Sequence, residues 1–398
     1  MQKLTIYTFF QKPFFTDRKY IISIWMLIAL LSAVKQYFGG AARHNNYIIY
    51  KNVFYHTINQ LNLYAAYPAE YFDFNHYGPI FSLVIAPFAV LPDYLGLPLW
   101  CLFNAIILCF AILQLPLRSQ QKNVILWICA HELLTSLLSV QFNPGMTALI
   151  VLSYVYIEKQ KDFWSAMFIV LGIFIKLYGV VGLAFFFFSK DKIKFISSLT
   201  FWAMVFFVLP MLISSPTFII QTYQDWYQRL IIKNGENTHL GCFQDISVMG
   251  MIRRILNNEM LSNIPILLSG LVLFGLPYLR ISQYKNKAFQ VMLLASVLVF
   301  TVIFSTGSES PTYIIAFVGV AIWFVLQPKS ISKWHIALLI FAIILTSLSP
   351  SDLFPKYIKE HYVQKYALKA LPCVLVWLAI VYEMLTKKFE EYKTISNQ

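Results

Sequence analysis

Polar breaks divide this chain into apolar runs of helical length from residue 20 almost to its end. Reading between the breaks predicts about twelve membrane spans, at 20–38, 95–116, 123–140, 145–157, 163–175, 180–188, 193–213, 264–279, 288–304, 313–326, 335–348 and 368–385. A helix needs ~20 residues to cross a hydrocarbon core of ~30 Å, and it satisfies its own backbone polar groups there. The run 79–91 is also apolar, but it is short, contains Pro87 and ends at Pro92-Asp93. It is predicted to lie at the outer interface without crossing. The expected fold class is all-α, a polytopic helical bundle with interfacial helices in a long first outer loop.

Charge orients these spans. With the amino terminus in the cytoplasm, 19 of the 31 lysines and arginines fall on the inner side, in short loops and the two tails, among them Arg118, Lys122, Lys159, Lys190, Lys285 and Lys387. Counting 79–91 as a crossing would put Arg118 and Lys122 outside and invert every later loop, against the positive-inside rule. The expected organisation is a cytoplasmic tail at 1–19, a transmembrane domain at 20–385 and a second cytoplasmic tail at 386–398. Residues 39–94 form the first outer loop and 214–263 a large later one. The basic amino terminus lacks a small-residue cleavage site and reads as a tail before a retained span in the cytoplasmic membrane.

The composition, 59% hydrophobic and 12% charged, excludes an ordinary soluble domain. In that setting a net charge of +13 reflects basic inner loops facing membrane lipid, and no nucleic-acid partner is expected. Of Cys101, Cys109, Cys129, Cys242 and Cys373, four fall in apolar runs, at spacings that suit neither a disulfide framework nor zinc. They are predicted to be small buried hydrophobes.

Candidate chemistry gathers outside. Residues 43–92 place His44, Asn46, Tyr47, Glu70 and Asp73 in one aromatic-rich segment, long for a connector. Glu70 and Asp73 are candidate general bases and would share a face if their segment were helical. Glu309, before Pro311, is a third acid, or simply a residue that begins a helix, with Ser310 a possible cap. Lys176 stands alone in an apolar run, where a lysine usually has a partner or a task. Arg253 and Arg254 lie on an amphipathic segment, suited to a phosphate or to lipid headgroups. Gln141 and Asn143 flank an outer turn, and His131 with Glu132 reads as a buried polar pair within a span.

Four segments carry a family resemblance: NNYIIYKNVFYHTINQLNLY, HYGPIFSLVIAPFAVLPDYLGLPLWCLFNAIIL, QFNPGMTALIVLSYVYIEKQKDFWSAMFIVLGIFIKLYGVVGL and SESPTYIIAF. Together with the order of spans and outer loops they resemble the GT-C glycosyltransferase architecture, and within it glycosyltransferase family 87. That resemblance implies inverting transfer of a hexose such as mannose from a polyprenyl-phosphate donor, with no nucleotide sugar. It also implies a catalytic Asp early in the first outer loop, in a pattern like Asp-aromatic-x-x-Tyr. Here the position reads Asn46-Tyr47-Ile48-Ile49-Tyr50, and an amide has no titrating form to serve as base. Either Glu70 or Asp73 takes the role, or the protein binds a lipid-linked sugar without transferring it. His44, Asn46 and Tyr47 would position the sugar. Metal-dependent members of the wider architecture hold their ion with acidic pairs, whereas the Gln141–Asn143 turn has no carboxylate, so neither a metal nor a cofactor is expected. A transporter or flippase is the competing class, disfavoured by polarity concentrated outside and by the lack of an internal repeat. The oligomeric state is not legible. Glu70, Asp73 and Lys176 are expected to face one shared hollow.

Overall fold

The computed structural model describes residues 12–389 apart from 243 and 329, so most of the two expected tails lies outside the described residues. Every regular element among the described residues is helical. The first half comprises α1 (Arg18–Phe38), α2 (Asn45–Ile58), α3 (Phe81–Ala89), α4 (Asp93–Gln114), α5 (Ser119–Leu138), α6 (Asn143–Glu158) and α7 (Asp162–Ile175). A 3-10 helix, Leu177–Phe188, follows. Then come α8 (Lys192–Val208), α9 (Pro216–Glu236), α10 (Val248–Ile255), α11 (Asn263–Gly275), α12 (Lys287–Ile303), α13 (Tyr313–Val325), α14 (Lys333–Phe341, continued as a π-helix to Leu348) and α15 (Leu371–Thr386).

Among the described residues, four helical segments are long and apolar enough to cross a membrane: Arg18–Phe38, Asp93–Gln114, Lys192–Leu212 and Leu368–Thr386. Shorter apolar helices run beside them. α6, α12 and α13 are buried almost all round and form the centre of the bundle, α6 against α4 and α7, α12 against α13 and α15. α1, α8 and α11 instead expose large apolar side chains such as Leu31, Met204 and Val272, the surface expected of helices facing lipid. Cys101, Cys109, Cys129 and Cys373 are buried and all five cysteines are free.

α3 has nine residues, so it is only about 14 Å long, too short to cross a bilayer alone. It packs against α2 and the start of α4. The run expected as a span at 180–188 is wound as a 3-10 helix. Its tighter winding has a longer rise, ~2.0 Å per residue, which gives twelve residues a length of about 24 Å.

α7 and this 3-10 helix form a close antiparallel hairpin. Two glycines allow it: a Cβ on Gly179 would lie 2.2 Å from the Ile173 nitrogen, and one on Gly182 would lie 2.6 Å from Ile169 Cγ1. Lys176 alone makes the turn, in extended conformation between the two helices.

The loops sort to two ends. At one, Arg18 donates to Ser119, Lys122 to the Leu113 carbonyl and Lys159 to Gln114, while Lys287 pairs with Glu158. There, too, Arg280 gathers the carbonyls of Met384, Leu385 and Lys387. At the other end lie α2, α3, α9, α10 and the hairpin tip.

Because the atoms meeting a Gly179 Cβ are backbone, Gly179→Ala must displace a helix. A loss of about 1–3 kcal/mol is expected, read as a lowered unfolding midpoint in detergent. Gly235→Ala, where nothing lies within 4 Å, should leave the midpoint unchanged or raise it.

A candidate active site at the hairpin tip

The loop after α2 is fastened onto the hairpin by backbone contacts. Gly78 N–H donates to the Ile175 carbonyl at 3.0 Å, and a Cβ there would lie 2.0 Å from the Phe174 oxygen, so no other residue fits without movement. Trp226 of α9 packs on the same glycine and donates its indole N–H to the His76 carbonyl at 3.0 Å. Asn75 closes an Asx turn by accepting from the Tyr77 N–H at 3.0 Å. Tyr64 donates to the Tyr77 carbonyl, and the hydroxyls of Tyr50 and Tyr77 bond to one another. The residues between Glu70 and Gly78 therefore form a braced turn and not a helix, so the condition under which Glu70 and Asp73 would share a face is not met.

This turn, α2, the hairpin tip and the loops before α6 and α13 enclose a cavity of about 160 Å³. Asp73 lines it at φ 75°, in the left-handed region where a non-glycine residue is strained, a condition that clusters at functional sites. Its side chain is half exposed, and Oδ1 accepts the Phe74 N–H at 2.8 Å.

Lys176 lines the same cavity. Its ammonium stands 4.5 Å from the centre of the Tyr178 ring and 5.9 Å from that of Tyr77, and among the described residues it has no carboxylate within ion-pair distance. Glu309 completes the charged set, with Oε2 accepting from Gln141 at 2.8 Å and Oε1 from Gln244 at 2.6 Å. Glu309 itself caps the short helix before α13, and Ser310 accepts from Lys369 instead.

His76 also lines the cavity, and neither ring nitrogen has a hydrogen-bond partner among the described residues. Burial, reinforced by Lys233, Arg229 and Lys176, pushes its pKa down to about 3, so the ring is neutral near pH 7. An acceptor and an N–H donor thus stand ready for a polar ligand.

The expected site residues separate into two groups. Asn46, Asp73, Gln141, Lys176 and Glu309 meet at the cavity, with Asn46 donating its amide to the Ser139 carbonyl and Asn143 holding Gln141 from behind. Glu70 does not join them. Its carboxylate is 2.9 Å from Nε2 of buried His56, which stacks on Tyr67. His44 is turned to the Gln36 carbonyl, and Tyr47 donates to the Phe88 carbonyl, filling the space left by Gly96.

Arg253 is buried, paired with Asp245 and bonded to Asn263. Arg254 donates to the carbonyls of Cys242 and Gln244 at 2.5 and 2.6 Å. Both arginines hold the loop that delivers Gln244 to Glu309. The expected His131–Glu132 pair is not formed: Glu132 pairs with Lys369 at 3.1 Å, and His131 bonds Ser347. One helical step separates the two side chains by about 100°, so they face different neighbours.

Sequence reasoning missed His76 and Gln244. His76 sat within the acidic segment and carried a signal, whereas nothing local marks Gln244. Among the described residues no group of three or more His, Cys, Asp or Glu is placed to hold a metal.

No curated protein matches the chain. A family model, Glycosyltransferase family 87, matches residues 75–306, from the turn carrying His76 through the hairpin to the end of α12. That is more than half of the 398 residues. With its apolar helical bundle, the chain belongs to glycosyltransferase family 87.

Proposed function

We propose that the protein transfers a hexose, with mannose the leading candidate, from a polyprenyl-phosphate donor to an acceptor hydroxyl on the outer side of the cytoplasmic membrane. The supporting observation is the meeting of Asp73, Lys176 and Glu309 around one cavity at the end of a hairpin of apolar helices. The acceptor oxygen attacks the sugar C1 from the face opposite the phosphate. The bond from C1 to the phosphate oxygen breaks, and its electron pair leaves with the polyprenyl phosphate. Asp73 takes the acceptor proton, and Lys176 stabilises the departing phosphate. His76, Gln141 and Gln244 offer neutral groups for sugar hydroxyls.

A groove of about 390 Å³ opens beside Lys176, between the 3-10 helix, α11 and α12. Leu177, Val180, Val181, Leu267, Phe300 and Phe304 wall it, a surface suited to an isoprenoid tail. The basic end of the bundle would face the cytoplasm, with both termini and the whole domain 20–385 arranged accordingly. A second reading is that the protein holds a lipid-linked sugar without transferring it. Asn46 favours it, because an amide committed to the Ser139 carbonyl stands where the family has its acid.

Transfer from radiolabelled polyprenyl-phosphate mannose separates the two readings. Asp73→Asn is expected to cut the rate by about 10²–10⁴-fold, while Glu70→Gln stays near wild type. Lys176→Met is expected to lower kcat and raise KM for the donor. Full activity of Asp73→Asn would remove Asp73 as the base.

The depressed His76 pKa also sets an acid liability. Below the ordinary value of 6.5 the unfolded chain takes up a proton that the folded chain refuses, so stability falls as pH falls and the loss is complete only near pH 3. At pH 5 the cost is on the order of 2 kcal/mol. His76→Gln is expected to flatten that dependence in thermal unfolding and to raise KM for the donor.

A further inference from the structure

A cavity of about 650 Å³ lies at the opposite end of the bundle from Asp73, between the end of α6, the end of the 3-10 helix and the start of α12. The transfer chemistry does not use it. Two of its lining residues carry buried polar atoms without partners. Ser189 is 3% exposed and its Oγ has no hydrogen-bond partner among the described residues, and Gln160 Oε1 is buried in the same condition. Gln160 cannot escape by turning its amide, because Nε2 is committed to the carbonyls of Ile157 and Phe188 at 3.1 and 3.5 Å. Its backbone is held at φ 56°, a strained position for a residue with a side chain. Buried polar atoms left unbonded are costly, so their recurrence in one cavity points to something that completes them.

Lys190, Lys285 and Lys287 line the same cavity. Lys287 is paired with Glu158 at 2.8 Å, whereas Lys190 and Lys285 have no ion pair or hydrogen bond among the described residues. The complementary ligand is therefore specific in kind. It must bring negative charge to two free ammonium groups, a donated hydroxyl to Gln160 Oε1 and a polar atom to Ser189. Phe187 and Ile193, 54% and 82% exposed, leave the approach apolar.

We propose that this cavity binds an anionic phosphate ester bearing free hydroxyls, and that its source is the glycerol-phosphate headgroup of a bilayer lipid whose chains lie along Phe187 and Ile193. Basic residues placed only by membrane orientation would attract any anionic lipid and ignore its hydroxyls. That difference makes the assignment testable.

Purified full-length protein in detergent would be titrated with phosphatidylglycerol, phosphatidylethanol and phosphatidylcholine of identical acyl chains, and retained lipid counted by native mass spectrometry. Phosphatidylglycerol and phosphatidylethanol carry the same charge and differ in their hydroxyls. Phosphatidylglycerol is expected to bind about tenfold more tightly than phosphatidylethanol, with phosphatidylcholine not retained. Lys190→Gln with Lys285→Gln, both at exposed positions, should reduce phosphatidylglycerol to the phosphatidylcholine level. Ser189→Ala deletes an unpartnered hydroxyl, so the variant is expected to unfold no earlier than wild type while losing the preference over phosphatidylethanol. Equal retention of the two anionic lipids, or undiminished retention by the double lysine variant, overturns the proposal. Glycerol 3-phosphate supplied in parallel should fail to displace the lipid. Displacement at equal concentration would overturn the bilayer source and identify a soluble ester as the ligand.

Discussion

A lysine that turns a helical hairpin by itself constrains everything built around it. The helices on either side of Lys176 are in backbone contact through Gly172 and Gly179, with Gly182 seated against the Ile169 side chain, which leaves the ammonium no room to retreat between them. It must emerge at the tip, where among apolar helices a bare ammonium is costly without a counter-charge or a ligand. The ring faces of Tyr178 and Tyr77 supply part of the compensation. The rest falls to the cavity. Gly78 is the second half of the same constraint, since only a residue without a side chain lets the Asp73 turn dock on the Ile175 carbonyl.

Cations elsewhere illustrate why charge by itself is a poor guide to function. Arg253, Arg254 and Lys369 drew attention or passed unnoticed in the sequence for reasons unrelated to their partners. Arg253 neutralises Asp245, Lys369 neutralises Glu132, and Arg254 ties down carbonyls of an irregular loop. Each spends its charge inside the protein, where removing one partner would leave the other uncompensated. Lys176, Lys190 and Lys285 differ in having nothing of the kind among the described residues.

Apolar periodicity made the bundle legible, because lipid and a buried core impose the same helical pattern. The shortness of α3 was legible from its run and Pro87, Lys176 stood out as a lone charge in an apolar run, Asp73, Gln141 and Glu309 as polar groups in loops between apolar runs, and Asn46 through the family resemblance. Three things were not. Glu70 and Asp73 look equivalent three residues apart, and only the turn geometry sends one to His56 and the other to the cavity. Gln244 reaches Glu309 across 65 residues of sequence, a separation no local pattern encodes. The 3-10 winding of 177–188 depends on glycines meeting a neighbouring helix, which is a tertiary fact.

The division of labour between the two cavity acids follows from their partners. Both oxygens of Glu309 accept amide N–H groups, one from Gln141 and one from Gln244. With each of its oxygens engaged, Glu309 fixes the two glutamines at the cavity wall. Among the described residues Asp73 is hydrogen-bonded only through Oδ1, by a neighbouring backbone N–H, and His76 Nε2 lies 4.0 Å away as a neutral ring. Its second oxygen keeps its lone pairs, half exposed, on a turn whose backbone strain is maintained by the Gly78 and Trp226 contacts. A carboxylate that takes a proton needs an oxygen free to do so, and of the two acids at this cavity Asp73 is the one that has it.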